Sequence, residues 1–374
     1  MASLEGVTLT LRVGPGVPVP APPAVIDAVD TVQTTQTVGG RSGFQLTLQL
    51  SKTSPIATAL LPAGYFDPMV RVIVVATLNG VPHVLADGPI TRQDLVPAVP
   101  GGAAKLTITG EDLSTYMDVI DLTGLPYPGM PDAVVVLAAL AKYAALGVIP
   151  VVVPPISFEP SIPTRSYRHH QGTDRAYIEQ LAREAGYVFT VTPGPVPGAS
   201  TAYFGPQARI GRPQPALSAD LDAGANVEQI SFSFDANATA LPVVHVRLPG
   251  VKIPVPLPVP DVGLLKPPLS ARPFVPRRMR KLDTERFGPA DVFRAALAGL
   301  GEGDPVGATG ALNVAVYGQP LTPHSLVGVR GAGLTYDGLY FVKSVTNTLA
   351  RGSWKQSFQL ARDGVVASVA AVPA

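Results

Sequence analysis

The stretch from Thr173 to Val191 changes from a helical to a strand-like pattern of apolar residues. Four apolar residues fall at spacings that place them on one helix face: Ile178, Leu181, Ala182 and Ala185. Thr173 can cap the start of this helix with its side-chain oxygen, and Gly186 suits a left-handed end. The residues from Tyr187 to Val191 then predict a strand that packs on the helix. The whole stretch therefore predicts an αβ unit.

Residues 1 to about 112 show the two-residue alternation of half-buried strands, of which Val7, Leu9 and Leu11 are the first example. Asn79-Gly80 separates two apolar runs, which is typical of a type I′ hairpin turn. Strands are predicted at 7–12, 25–37, 43–50, 70–77, 81–86 and 105–109. Several short strands with turn residues between them favour a barrel or a sandwich.

Residues 113–225 mix helical and strand patterns and are predicted to form an inserted α/β unit. A short helix is expected near 116–120. The range 133–153 is apolar enough to raise the alternative of a membrane span. Lys142 lies near its middle and Pro150 breaks a helix, so a buried helix at about 132–146 followed by a strand fits better.

Residues 226–374 return to strand patterns, with strands expected at 230–234 and 243–248. The segment 249–276 is dense in prolines separated by Val, Ile and Leu. Proline removes backbone donors, which excludes a helix or a central strand and favours an extended polyproline II chain. Because the segment is also apolar, we expect it to be ordered only against another surface. A helix is predicted at 289–300.

Composition narrows the possible classes of function. Hydrophobic residues make up 46% of the 374 residues and charged residues only 15%, with a net charge of +1. A large protein–protein interface would bury this apolar excess. The balanced charge gives no sign of a nucleic-acid-binding protein. The lack of cysteine excludes disulfides and thiolate chemistry. The N-terminus lacks the basic start and apolar run of a signal peptide.

We find no catalytic, cofactor-binding or metal-binding pattern in the sequence. His169 and His170 are adjacent, and neighbouring strand residues point to opposite faces, so a shared metal ion is disfavoured. Glu179 and Glu184 are five residues apart on the predicted helix and diverge, which disfavours a glycosidase pair. The basic run from Arg277 to Lys281 is a solvated loop, a contact with an acidic partner or part of a pore lining. The sequence thus predicts a protein that is not an enzyme and has no cofactor.

Several stretches resemble one family. TDRAYIEQLAREAGYVFTV resembles the helix–strand segment of late control gene D proteins, which are baseplate hubs of contractile phage tails and related injection systems. GEDLS at 110–114 is similar to the step that leaves their first barrel. The residues from Leu326 to Arg362 resemble their last barrel, although Asn347 stands where many relatives have His. A faint internal echo matches VDTVQTTQTVGGRSGFQL with VKSVTNTLARGSWKQSFQL.

This resemblance implies an α+β, mainly β protein with two tube-like β-barrel domains. The barrels would be residues 1–112 and 226–374, with the mixed α/β insertion at 113–225 and a Pro-rich and helical insertion at 249–305. The resemblance also implies a trimeric structural hub that joins a hexameric inner tube to a trimeric spike. The expected partners are a second and third copy of the chain, a separate spike protein, the tube protein and other baseplate proteins.

Two alternative functions stay open: a tail-tip or distal tail protein of a non-contractile phage, and a tail-borne cell-wall hydrolase. As a hub, the protein would be cytoplasmic during assembly and then part of a virion or phage-tail-like particle. The chain ends soon after the predicted second barrel, so the spike is expected as a separate protein. No membrane insertion of this chain is expected. The candidate interface residues are Pro254, Pro256, Pro258, Leu264, Leu265, Arg277, Arg278, Arg280 and Lys281.

Overall fold

The computed structural model describes residues 3–4, 6–98, 102–155, 168–219, 224–246, 255–258, 266–276, 278–281 and 303–369. Over these residues the chain is α+β and mainly β, which confirms the predicted fold class. Its largest sheet contains fourteen strands. The helix predicted at 289–300 lies outside the described residues.

The N-terminal part is almost entirely β. Its elements are β1 (Ser3–Leu4), β2 (Val7–Gly14), β3 (Val19–Pro20), α1 (Pro23–Ala28), β4 (Val29–Thr37), β5 (Gly43–Leu50), β6 (Arg71–Leu78), β7 (Val81–Val96) and β8 (Ala104–Glu111), with a π-helix at Ile56–Leu60 between β5 and β6. Asn79 and Gly80 both have positive φ, 49° and 83°, so the predicted β6–β7 hairpin turn is confirmed. The strand predicted from residue 25 begins only at Val29, because Pro23 supplies the φ of a first helical turn.

The middle part contains the predicted αβ unit. Its elements are β9 (Pro126–Tyr127), α2 (Asp132–Ala141), β10 (Val148–Val152), β11 (Arg168–His169), α3 (Asp174–Ala185), β12 (Val188–Pro193) and β13 (Ser200–Gly205), with 3₁₀ helices at Leu113–Asp118 and Ala144–Leu146. Thr173 Oγ1 accepts the amide of Ala176, and Gly186 is left-handed at φ 69°, so both predicted caps of α3 are confirmed. The apolar range 133–153 forms a helix followed by a strand, as predicted. The α-helix ends at Ala141, earlier than the predicted end near residue 146, and a 3₁₀ turn precedes the strand.

The C-terminal part returns to strands. Its elements are β14 (Gln214–Ser218), β15 (Gln229–Phe234), β16 (Leu241–Val246), β17 (Val255–Pro258), β18 (Ser270–Pro273), β19 (Met279–Lys281), β20 (Val306–Asn313), α4 (Val314–Tyr317), β21 (Leu326–Arg330), β22 (Gly338–Ala350), β23 (Ser353–Arg362) and β24 (Gly364–Ala367). β14 pairs with β21, so residues 214–218 are part of the C-terminal sheet and not of the α/β unit.

The large sheet is built from one strand pattern used twice. In the first half the strands lie in the order β2-β6-β7-β8-β5-β4, and in the second half in the order β14-β21-β22-β23-β20-β15. When the six strands of each half are counted in chain order, both halves have the same spatial order: first, fourth, fifth, sixth, third, second. A short helix also follows β5 and β20 alike. The halves differ at one strand, because β2 is antiparallel to β6 whereas β14 is parallel to β21.

The two halves join by backbone pairing between β4 and β22. Thr35 lies opposite Thr346 and Thr34 opposite Asn347, and the amide of Val38 donates to the carbonyl of Lys343 over 2.9 Å. We call this β4–β22 pairing the internal seam. One cluster of buried apolar side chains continues across it. The two halves therefore share a single core.

The internal echo seen in the sequence is assigned to the wrong strands. The echo matches β4–β5 with β22–β23, whereas the strand order matches β4–β5 with β15–β20 and β22–β23 with β7–β8. Both echoed hairpins bury one face and expose the other, and this shared alternation produces the similar letters. The duplication is nevertheless present in the fold.

The α/β unit has its own core and is fixed to the large sheet by polar contacts. Its helices α2 and α3 pack on the sheet β10-β13-β12. The Arg71–Asp87 ion pair is buried, with Nε–Oδ1 at 2.6 Å, and Ser200 of β13 donates to the same carboxylate. Gly39 donates its amide to Thr190 Oγ1 over 3.0 Å. These contacts hold the unit against the N-terminal half.

Candidate interaction surfaces

The large sheet presents a broad polar face away from its core. The registers of β15, β20, β23, β22, β4, β5 and β8 place their outward side chains in continuous rows. These outward residues are mostly Ser, Thr and Gln: Gln229, Ser231, Ser233, Thr309, Gln359, Ser357, Ser344, Thr346, Thr348, Thr31, Gln33, Thr35, Thr37, Gln45, Gln49, Thr107 and Thr109. All are exposed or half-buried. The face can form hydrogen bonds while carrying little charge, and Lys105 and Lys355 are among its few ionised side chains.

A buried polar network holds the internal seam on the opposite, core-facing side. Asn347 donates to Thr34 Oγ1 over 3.2 Å and accepts from Trp354 Nε1 at 3.0 Å and from Gln356 Nε2 at 2.8 Å. Gln356 also accepts the amide of Leu321. Buried amides stabilise a fold only when they are paired, as these are. Asn347 therefore has a structural role at the internal seam.

The two ends of this curved array of strands each expose a backbone edge. β15 pairs with β20 on one side, and the sheet ends there among the described residues. The last part of β7, residues 92–96, pairs with β8 on one side only. Large apolar side chains are exposed at both edges: Leu95 is 51% exposed, Val96 60% and Phe234 47%. Arg92 and Asp94 form a surface ion pair at the β7 edge.

Four residues of the predicted interface set lie outside the described residues: Pro254, Leu264, Leu265 and Arg277. Pro256 and Pro258 lie in β17, opposite His245 and Val243 of β16. Farther along the segment, β18 pairs with β24, and Asp363 accepts the amide of Leu269 over 2.7 Å.

The expectation that the Pro-rich segment is ordered only against a partner is thus wrong for β17 and β18, which pair with strands of the same chain. Backbone donors alternate between the two sides of a strand, and Pro256 and Pro258 are two residues apart, so their missing donors fall on the same side. Val255 and Leu257 can then donate towards β16. The V-P-L-P alternation of the sequence already contains this signal for an edge strand.

The described part of the basic run is brought into the same small sheet. Arg280 and Lys281 lie in β19, which pairs in parallel with β16, while β17 lies on the other side of β16. The amide of Leu241 donates to the carbonyl of Arg278. The side chains of Arg278, Arg280 and Lys281 are exposed. The fold therefore brings the Pro-rich and basic segments onto opposite edges of one three-stranded sheet.

The predicted αβ unit contains a cluster of ionisable side chains around Asp174. Its carboxylate accepts from Lys142 Nζ and from the hydroxyl of Tyr143, both at 2.7 Å, and lies 3.8 Å from His170 Nε2. Burial and the Asp174 carboxylate raise the pKa of Tyr143. Tyr127 is hydrogen-bonded to His170 Nδ1 at 2.9 Å. His170 and Asp174 are buried, and the cluster fixes the start of α3.

His169 and His170 face different surroundings, as their adjacency predicts. His169 is exposed beside the carbonyl of Gly124, whereas His170 lies in the core of the α/β unit. Within the described ranges, no three His, Cys, Asp or Glu side chains converge as metal ligands would. None of the described helices combines the length and apolarity needed to cross a membrane.

Solved structures with the same fold include phage tail proteins and a component of a type VI secretion system. A tail protein from Neisseria meningitidis MC58 superposes with a TM-score of 0.61 at 14% identity, covering 97% of this chain and 98% of that one. The 43 kDa tail protein of prophage MuSo2 from Shewanella oneidensis gives 0.63 at 14% identity, covering 96% and 99%. The Francisella PdpA–VgrG complex gives 0.57 at 9% identity, covering 100% of this chain and 61% of the matched one.

These likenesses define the class of protein by its fold. The chain has the fold of phage tail proteins over nearly its whole length. No family model and no curated protein matches its sequence.

Proposed function

We propose that the chain is the baseplate hub of a contractile injection system, a trimer that joins a six-fold inner tube to a three-fold spike. The observation that carries this proposal is the doubled strand order in one sheet, joined by the internal seam. Three copies of a chain with two like halves present six like units in a ring. Such a ring fits six tube subunits on one side and three spike subunits on the other.

The polar face of the sheet suits the wall of a central channel. Ser, Thr and Gln side chains keep a passage wet without a strong single-sign field, so that cargo of either charge can pass. The opposite face is the apolar core, so this is the side of the sheet that is free to line a passage. The likeness to tail proteins of similar length supports the same assignment.

The small sheet β17-β16-β19 is the surface that we assign to the spike or to another baseplate protein. Its basic strand carries Arg280 and Lys281, and its proline edge has few donors to offer a wrong strand partner. A partner with an acidic surface would fit it. Changing Arg278, Arg280 and Lys281 together to Glu should leave the chain folded and weaken its binding to the spike. The loss of affinity should be smaller at high salt.

Mass photometry of the purified chain, alone and with a candidate spike protein from the same genome, tests the hub function. We expect a trimer whose fraction rises when the spike is added. A chain that stays monomeric at micromolar concentration with the spike present refutes the hub. A muralytic assay on the same preparation tests the hydrolase alternative, and a sheath gene beside this one separates a contractile from a non-contractile tail.

A further inference from the structure

The internal seam has a counterpart position that no described strand fills. In the second half, residues 344–350 of β22 lie between β23 and β4. In the first half, the counterpart of β22 is β7, and residues 92–96 have β8 on one side and no described strand on the other. The counterpart of β4 is β15, which ends the sheet at its far side. Among the described strands, one open position beside β7 and one open edge on β15 therefore remain.

The bulges in the two halves fix how β7 and β22 correspond. β7 has a bulge between Ile90 and Arg92 opposite β8, and β22 has one between Val342 and Ser344 opposite β23. Aligning these bulges makes Arg92 the counterpart of Ser344 and Leu95 the counterpart of Asn347.

The β15–β20 pairing fixes the other strand in the same way. In the first half β7 pairs with β8, β8 with β5 and β5 with β4, so a position on β7 corresponds to one on β4. In the second half the same path runs from β22 through β23 and β20 to β15. Along this path Ser233 becomes the counterpart of Thr35 and Phe232 the counterpart of Thr34.

We infer that β15 of one copy pairs antiparallel with residues 92–96 of β7 in the next copy, and that three such intersubunit seams close the ring. This inference rests on the proposed hub function for the number of copies. The register of the internal seam transfers directly. It places Asp235 opposite Arg92, Phe234 opposite Gln93, Ser233 opposite Asp94 and Phe232 opposite Leu95 of the neighbouring copy.

The side chains at these positions suit each other on both faces. On the core side, Leu95 and Phe232 take the places that Asn347 and Thr34 fill in the internal seam, so an apolar pair replaces a polar pair. Leu95 is 51% exposed in the single chain, and this pairing would cover it. On the polar face, the Asp235 carboxylate meets the Arg92 guanidinium. Both are exposed in the single chain.

The backbone hydrogen bonds of the intersubunit seam follow from the internal one. Because the amide of Val38 donates to Lys343, the pairs two and four residues along, Gln36–Val345 and Thr34–Asn347, also share backbone bonds. Their counterparts are Phe234–Gln93 and Phe232–Leu95. Pro97 follows, and its missing donor ends the ladder there.

Cysteine cross-linking tests the register, and the chain has no native cysteine to interfere. Asp94→Cys together with Ser233→Cys places two thiols at a pair that shares no backbone bonds, where side chains approach most closely. At the counterpart pair in the internal seam, the Thr35 and Thr346 hydroxyls are 3.0 Å apart. Thr35→Cys with Thr346→Cys is therefore the positive control, which should form a disulfide within one chain.

The matched negative control moves one thiol out of register. Asp94→Cys with Gln229→Cys separates the two positions by four residues along the strand, roughly 13 Å. We expect the in-register variant to run as a covalent trimer on non-reducing gels and as a monomer after reduction. The out-of-register variant should cross-link at least tenfold less. Equal cross-linking of the two variants would overturn the inferred register.

A single substitution tests the apolar contact. Leu95→Lys should leave the monomer folded, since the side chain is half exposed there, and should weaken trimer formation at least tenfold. Val81→Lys is the control, because Val81 is 55% exposed on the same strand but lies outside the intersubunit seam. A trimer that neither cross-links in register nor responds to Leu95→Lys overturns the seam and leaves the hub intact. A chain that is monomeric with the spike present overturns both.

Discussion

Removing the amide of Asn347 should be costly, because its three hydrogen bonds lie in the shared core. Asn347→Ala leaves the indole N–H of Trp354, a side chain only 1% exposed, without its partner. An unpaired buried donor costs about 1–3 kcal/mol. Loss of the bonds to Thr34 and Gln356 and the small cavity add about 1–2 kcal/mol. We therefore expect unfolding to be easier by roughly 2–5 kcal/mol.

Urea denaturation followed by far-UV circular dichroism measures this loss. Thr348→Ala is the matched control, because Thr348 lies on the same strand with its side chain exposed on the polar face. The change Trp354→Phe added to Asn347→Ala removes the unpaired indole donor, and it should recover about 1 kcal/mol or more. A midpoint for Asn347→Ala equal to that of Thr348→Ala would refute the buried network. Trp354 is the only tryptophan of the chain, so its fluorescence also shows whether the internal seam stays closed in Asn347→Ala.

Three other changes test separate parts of the fold. Leu181→Asp puts an unpaired charge at a site 1% exposed and should cost several kcal/mol in a thermal melt, whereas Ala176→Asp on the exposed side of α3 should not. Arg71→Met leaves the Asp87 carboxylate buried without its cationic partner, which should lower the free energy of unfolding in urea by about 3–5 kcal/mol. Adding Asp87→Leu should restore most of this loss. Burial lowers the pKa of His324, so on acidification the unfolded chain binds the proton before the folded chain does. The free energy of unfolding therefore falls as the pH drops below about 6.5. The melting temperature of His324→Asn should change less between pH 7 and pH 5.5 than that of the unsubstituted chain. Equal pH profiles would show that the fold does not lower the pKa of His324.

The sequence by itself determined the local elements. Alternation predicted the strands around Asn79-Gly80, and helical spacing with Thr173 and Gly186 predicted α3 and its caps. These signals are local, because side-chain periodicity and capping depend on residues within a few positions of each other. The same local rules gave the α2–β10 unit in place of a membrane span.

Only the tertiary structure decided which strands are neighbours. The echo in the sequence matched the wrong hairpins, because any one-sided strand pair produces similar letters. Pairing of β4 with β22, more than 300 residues apart, depends on a shared core and leaves no local sign. The same holds for the open edges at Leu95 and Phe234. Their chemistry becomes visible only once the repeated strand order shows that each lacks the neighbour its counterpart has.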